Sequence, residues 1–174
     1  LKHRPPFTVA IDAANVAYCR QNYGGGRFSF EQINTVLDTL RDQGENPLVV
    51  IPRKYLKENI PNHSADQYMR RDGKRVRQQP VSAADNKLRQ RWLDEDVMFT
   101  PRFSWADDDW YWMYFTVAYP SGGKPVYVVT NDETRDHHHH LDLLEPRAFQ
   151  RWRATHIKNF DFPRCNSLLP SPFP

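Results

Sequence analysis

Short apolar runs rich in β-branched residues, Phe7–Ile11, Leu48–Ile51 and Val126–Thr130, recur along the chain with helix-length stretches between them. Runs of four or five such residues are what a strand covered on both faces requires, and strands of that kind belong mainly to parallel sheets with helices on each side. The intervening segments carry helix signals. Ser29 with Gln32 fits a capping box, Phe30, Ile33, Leu37 and Leu40 fall on one helical face, and Gly44 closes the helix. Ser82 with Asp85 opens a second helix that runs to about Trp92. Asp107-Asp-Asp starts a third, with acids at its positive end, and Pro146 suits the first turn of a fourth that reaches His156. Val97–Thr100 and Ile157–Phe162 read as further strands. Tyr23–Arg27 reads as a loop, Ser121–Gly123 as a turn, and residues 53–81 as irregular, polar and basic. This alternation predicts an α/β fold with a mainly parallel central sheet flanked by helices. At 174 residues it fills one domain, 1–174, with an irregular tail from about residue 163.

Composition excludes several classes. Hydrophobic residues at 39% and charged residues at 26% are a globular rather than a disordered profile. No apolar run approaches the ~18 residues of a membrane span, so no membrane partner is expected. No signal peptide is visible. Cys19 and Cys165 form no C-x-x-C pair, so neither zinc nor a dithiol motif is indicated within the chain. The chain starts at Leu1 without methionine and reads as a domain taken from a longer protein. The net charge of +3 is too small to name a partner, but its distribution is uneven. Gln67 to Arg91 holds eight basic residues against two acidic, whereas Trp105 to Glu145 holds eight acidic against two basic. Two solvated surfaces explain this; so does an enzyme that holds cations and grips a polyanion.

The acids decide more than the charge. Asp12 follows the first apolar run, Asp108 and Asp109 open a helix, and Asp132 follows the Val126–Thr130 run. Asp136 lies four residues beyond Asp132, on the same face if that segment is helical. In open α/β sheets ligands sit outside the carboxyl ends of the strands, where Asp12 and Asp132 fall. Carboxylates converging there repel one another unless a cation sits between them, and hard oxygen ligands select Mg²⁺ or Mn²⁺. Such ions can activate water for phosphodiester cleavage. For Asp107, Asp108 and Asp109 taken alone, helix capping is the simpler reading, and Asp132 alone also fits a cap. Asp12 fits one less well, because an acid directly after an apolar strand is partly buried. A phosphatase-type nucleophile usually has a second acid two residues on, and Ala14 stands there.

Three segments resemble, in order, the motifs of the protein-only ribonuclease P nuclease domain: Ile11-Asp-Ala-Ala-Asn-Val16, Asp108-Asp-Trp-Tyr-Trp112 and Val129-Thr-Asn-Asp-Glu-Thr-Arg-Asp-His137. Phe149-Gln-Arg-Trp152 and Pro170-Ser-Pro-Phe173 also look like that family, so the resemblance spans nearly the whole chain. It implies a PIN-like (NYN-type) metallonuclease that removes 5′ leaders from precursor tRNA with Mg²⁺, and it leaves the compartment open among mitochondrion, plastid and nucleus. Matched position by position, it makes Asp12, Asp108, Asp109 and Asp132 the metal-binding catalytic set, with Asp136 as a further ligand and His137 as an auxiliary. Asp107 falls outside the match. Ala13 stands where the family usually has glycine, which allows close backbone approach or unusual φ/ψ. The basic stretch Arg70–Arg77 looks like an insertion. The helical-repeat RNA-binding domain and zinc-bound connector usual in the family are not in this chain, so they are expected in a parent protein or a partner. Alternatives are a PIN-like nuclease of other RNAs and a non-catalytic RNA-binding or scaffolding module.

Other residues have competing roles. Asn15 either orients a ligand carboxylate, touches phosphate, or caps a turn. Arg135 contacts phosphate or, more simply, pairs with a neighbouring Asp. Arg70, Arg71, Arg75 and Arg77 are candidate RNA contacts, with a solvated loop as the default. Trp110, Tyr111, Trp112 and Tyr114 are read as core rather than as base-stacking groups. His138, His139 and His140 cannot share one helical face, so they make no metal site.

Overall fold

A computed structural model of the chain describes residues 6–21, 23, 25–63, 77–101, 108–118, 125–134 and 145–162, with the backbone alone at 108 and 146. Five strands form the central sheet: β1 (Val9–Asp12), β2 (Pro47–Val50), β5 (Met98–Phe99), β6 (Tyr127–Val129) and β7 (Ile157–Lys158). Their order is β5-β2-β1-β6-β7, and all four pairings are parallel. Five helices are described: α1 (Ala13–Tyr18), α2 (Phe30–Asp42), α3 (Ala83–Asp94), α4 (Asp108–Ala118) and α5 (Pro146–His156).

Residues alternate between the two faces of the sheet. Val9, Ile11, Val49, Ile51 and Val129 join the core built with Val16 of α1, Ile33 and Leu37 of α2 and Trp92 of α3. Ala10, Leu48, Val50 and Val128 join the opposite core with Trp112, Met113 and Phe115 of α4 and Phe149 of α5. Every residue of β1 and β2 is buried. This is why those runs carry no polar alternation: a strand sandwiched between helices has no solvent side. Each fully buried Val, Leu or Ile contributes about 1.5–3 kcal/mol relative to exposure.

The helix signals act largely as expected. The Ser29 side chain accepts from the Gln32 amide, but the capping box is only half made. The Ser29 N–H donates to the Ala17 carbonyl instead, and the Gln32 side-chain amide donates to the Cys19 carbonyl. Gly44 has φ +82° just after α2. At α3 the box is complete, Ser82 and Asp85 each accepting from the other's backbone. Four basic and acidic side chains clasp α3 to α2: Arg91 pairs with Asp38 at 2.7 Å and Glu95 at 2.9 Å, and Arg41 pairs with Glu95 at 2.7 Å.

Two expectations need correction. Residues 53–81 are not all irregular. A 3-10 turn spans Arg53–Leu56, and β3 (Asn59–Asn62) pairs antiparallel with β4 (Arg77–Pro80) in a separate two-stranded sheet. Its anchors are Ile60, wholly buried, and Gln79, whose side chain accepts from the Phe28 N–H at 2.8 Å and donates to the Phe28 carbonyl at 2.9 Å. The strand expected over Ile157–Phe162 is only Ile157–Lys158, because Phe160 is tied to the loop after β6 rather than to a ladder. The expected Ser121–Gly123 turn and the tail from about residue 163 lie outside the described residues.

Candidate active site

Strand order reverses at β1. From β1 the chain builds outward to β2 and β5, and then returns to β6 and β7 on the other side. The crevice at the carboxyl ends of β1 and β6 is therefore the topological switch point, the place where open α/β sheets hold ligands. Asp12 closes β1 there and begins α1, its Oδ1 accepting the Asn15 N–H at 3.1 Å. It is only 3% exposed. Thr130, the residue after β6, is wholly buried, and its hydroxyl donates to Asp12 Oδ2 at 2.8 Å. The same hydroxyl oxygen accepts the Asp132 N–H at 3.0 Å. One side chain thus fixes a buried carboxylate on one strand and the backbone of a second acid on its neighbour.

A second tie crosses the same crevice. Asn15 Oδ1 accepts the Asn131 N–H at 2.9 Å, which joins α1 to the loop after β6. Asn131 also donates to the Phe160 carbonyl and accepts the Phe160 N–H, anchoring the segment that follows β7. Of the roles open for Asn15, the structure adds one not foreseen: it spans two strand ends. Asp132 Oδ1 accepts the Thr134 N–H at 2.5 Å, and Thr134 sits at φ +52°, a region that β-branched residues rarely enter. Thr134 is buried, and its hydroxyl donates to the Glu133 carbonyl. Such strain, about 1–3 kcal/mol, persists where surrounding contacts hold it, often at functional turns.

The third acidic segment opens α4. That helix packs on β1, β2 and β6 and links the parallel strands β5 and β6. A crossover helix runs back against its sheet, so the first turn of α4 starts near the carboxyl edge. Asp109 is partly buried there, and its Oδ1 accepts the Trp112 indole N–H at 3.2 Å. Trp112 is wholly buried and lies near-parallel to Trp152, 14° apart. The aromatic quartet divides: Trp112 is core and Tyr111 partly so, but Trp110 is 43% and Tyr114 59% exposed, so the core reading fails for those two.

Among the described residues no three His, Cys, Asp or Glu side chains gather closely enough to hold a metal by themselves. Asp12 and Asp132 are brought together through Thr130, while Asp109 is held through Trp112. The side chain of Asp108, and Arg135, Asp136 and His137, lie outside the described residues, as do Arg70, Arg71 and Arg75. Arg77 is exposed in β4. Ala13 is wholly buried as the first residue of α1, with no positive φ, so this position does not use glycine's conformational freedom. Sequence reasoning passed over Thr130 and Asn131. Their signal was a hydroxyl and an amide standing between the apolar run and Asp132.

The parallel sheet with acids at its switch point defines a PIN-like (NYN-type) α/β domain. The chain belongs to the protein-only RNase P family, whose model matches residues 1–164. It is 29% identical to proteinaceous RNase P 2 of Arabidopsis thaliana and 30% identical to proteinaceous RNase P 3, in each case over 99% of this chain. Two solved structures of the A. thaliana nuclear protein-only RNase P 2 are similar to it, with TM-scores of 0.66 and 0.65 at 25% and 26% identity. They cover 99% and 100% of this chain. The chain spans 28% and 26% of the two curated relatives and 32% of each solved chain, less than a third of their length. Among the described residues no helix is long and apolar enough to cross a membrane.

Proposed function

We propose that this chain is the nuclease domain of a ribonuclease P that removes 5′ leaders from precursor tRNA. The observation that carries the reading is the coupling of Asp12 to Asp132 through the Thr130 hydroxyl at the switch point, in a chain of this family. The donor set is carboxylate oxygen, which fits a hard divalent cation, Mg²⁺ or alternatively Mn²⁺. Asp12 and Asp132 would hold it, with Asp108, Asp109 and Asp136 completing the set. When bound, the cation supplies an activated water and neutralises charge at the phosphate.

The chain's own residues prepare that chemistry. The Thr130 hydroxyl and the Asn15 N–H each hold one Asp12 oxygen, so the carboxylate is fixed in orientation in advance. Thr134 does the same for Asp132 Oδ1. In the reaction, the oxygen of water joins phosphorus in line with the departing group. The bond from phosphorus to the 3′ oxygen of the leader breaks, so the mature RNA keeps a 5′-phosphate and the leader leaves with a 3′-hydroxyl. Most of the grip on the tRNA is assigned to a helical-repeat RNA-binding domain, in the same polypeptide or in a partner.

Single-turnover cleavage of 5′-labelled precursor tRNA in Mg²⁺ tests this. Release of the intact leader is expected, and Asp132→Asn should slow it about 100-fold or more, the range for removing one preorganised charge-stabilising group. Equal cutting of unstructured RNA would transfer the chain to a broader PIN-like nuclease class. RNA binding without cleavage at any Mg²⁺ or Mn²⁺ concentration would make it a binding module.

A further inference from the structure

Beside the carboxylate pair, on the side away from Asp12, a cleft of about 400 Å³ opens between the loop after β6 and the α5–β7 junction. Asn131, Asp132 and Glu133 form one wall, and Arg153 of α5 and Asn159 form the other. Arg153 stands out there. Its Nε is buried, yet among the described residues it has no hydrogen-bond partner. It makes no ion pair with Asp132 or Glu133 although both line the same cleft. Four other arginines, Arg20, Arg27, Arg41 and Arg91, each meet a carboxylate within 4 Å, whereas the buried Nε of Arg153 meets no acceptor among the described residues. A guanidinium N–H withdrawn from water and left unpaired is costly, and such orphans in folded proteins ask for a ligand or a functional reason.

The anion-binding group of this cleft is Arg153 itself: Asp132 and Glu133 line the opposite wall, and Arg147 and Arg151 fall on another face of α5. The planar guanidinium fork matches phosphate oxygens in pairs, which suits Arg153 better to a phosphodiester than to a point cation or an apolar ligand. Its position selects which phosphate. β6 lies between β1 and β7, and adjacent strands are about 4.8 Å apart, so the cleft extends the carboxylate site sideways by roughly one strand spacing.

We propose that Arg153 binds the RNA phosphate flanking the one that is cut, holding the strand in register across Asp132. This rests on the nuclease reading above. It makes Arg153 a positioning residue: it fixes the strand, while the carboxylates serve the reacting phosphate. The rigid far wall suits that task, because Asn131 is already bound to Phe160 and Asn159 and cannot collapse into the space.

The test compares wild-type protein with Arg153→Ala and Arg153→Lys, using precursor tRNA for cleavage and a short single-stranded RNA for binding over a salt series. Arg153→Ala should weaken binding about 10-fold and lower the salt slope by about one phosphate contact. Cleavage at saturating RNA should fall less than the affinity, and Arg153→Lys should recover the salt slope but only part of the affinity. Melting temperatures should fall only slightly, since the buried Nε has no hydrogen bond to lose among the described residues and only side-chain packing is removed. Wild-type affinity and salt slope in Arg153→Ala, with cleavage intact, would overturn the proposal and leave the nuclease reading standing. A wild-type protein that binds RNA with the Arg153-dependent slope but never cuts it would overturn the nuclease reading and its flanking-phosphate register alike.

Discussion

Asp12 and Asp132 share a network but differ in what surrounds them, and that decides which of them reports cleanly on metal binding. Both Asp12 oxygens accept hydrogen bonds inside the protein, one from the Thr130 hydroxyl. An asparagine there presents an NH₂ group to a donor, so Asp12→Asn damages the fold and the site together. Asp132 is partly exposed, and its one fixed oxygen accepts from Thr134, a bond that asparagine can keep. Asp132→Asn should therefore unfold within about 0.5 kcal/mol of wild type without metal, the usual range for substitutions away from buried networks. The difference should appear on adding Mg²⁺. A cation held only by the folded state at ten times its dissociation constant adds about 1.4 kcal/mol, roughly 3–6 °C in melting temperature for this size. Wild type should show that shift and Asp132→Asn should lose most of it; equal shifts in both would remove Asp132 from the ligand set. Thr130 acts one step back. Thr130→Val keeps the shape but removes the hydrogen bonds that the hydroxyl donates to Asp12 Oδ2 and accepts from the Asp132 N–H, at a cost of about 1–3 kcal/mol. Cleavage should fall about 10–100-fold, as for other groups that orient a ligand from behind. Thr130→Ser should restore both, which a purely steric role for the methyl would not allow.

At the scale of elements, the α2–α3 clasp supplies a pH-dependent contribution away from the site. Partial burial alone would raise the Glu95 carboxyl, but hydrogen bonds from Arg91 and Arg41 outweigh it and hold the group below the usual carboxylate range. A depressed folded value means the stabilisation is fully present above the unfolded value of 4.5 and is lost as pH falls through the lower folded value. Glu95→Gln should therefore be less stable than wild type at pH 7, by about 1 kcal/mol or less for so exposed a pair. Urea midpoints of the two proteins should converge as pH falls from 4.5 through the lower folded value, and a gap that is constant with pH would assign the effect to packing. The same elements show what a sequence reveals. β1, β2 and β6 were legible because burial on both faces forces apolar runs, and α2 and α3 because caps and periodicity agree. The β3–β4 pair was not. Asn59-Ile-Pro-Asn and Arg77-Gln-Gln-Pro hold one apolar side chain outside proline, since a two-stranded flap buries only Ile60 and a hydrogen-bonded Gln79. Its prolines are tolerated because each strand has an unpaired edge. At the switch point, the positions of Asp12 and Asp132 were legible from their place after apolar runs. Thr130 and Arg153 were not, because a strand-end threonine and a helical arginine look ordinary until the sheet order sets them beside Asp12 and Asp132.

For the whole molecule, charge is nearly balanced, with 24 Lys and Arg against 21 Asp and Glu, so long-range attraction to RNA is weak and local patches must carry it. The described structure offers Arg147, Arg151 and Arg153 of α5 with Lys158 of β7, and the sequence offers a second basic group at Arg70, Arg71, Arg75 and Arg77. If the second is a grip, it works through phosphate neutralisation, and its signature is in salt dependence rather than in the chemical step. Each phosphate contact on single-stranded RNA contributes about 0.7 to the slope of log affinity against log salt. Replacing the four arginines by alanine should then lower the slope by up to about 3 and weaken binding most at low salt. Turnover at saturating precursor tRNA should change little, because none of the four is placed in the ligand set. The measurement is single-turnover cleavage and direct RNA binding, each across RNA and salt concentrations. Wild-type affinity and slope in the fourfold variant would assign Arg70–Arg77 to solvent or to a protein partner. The remaining grip would then fall to the basic residues of α5 and β7 and to the RNA-binding domain proposed above, which predicts that the 174-residue chain alone binds precursor tRNA weakly and cuts it slowly even with every aspartate in place.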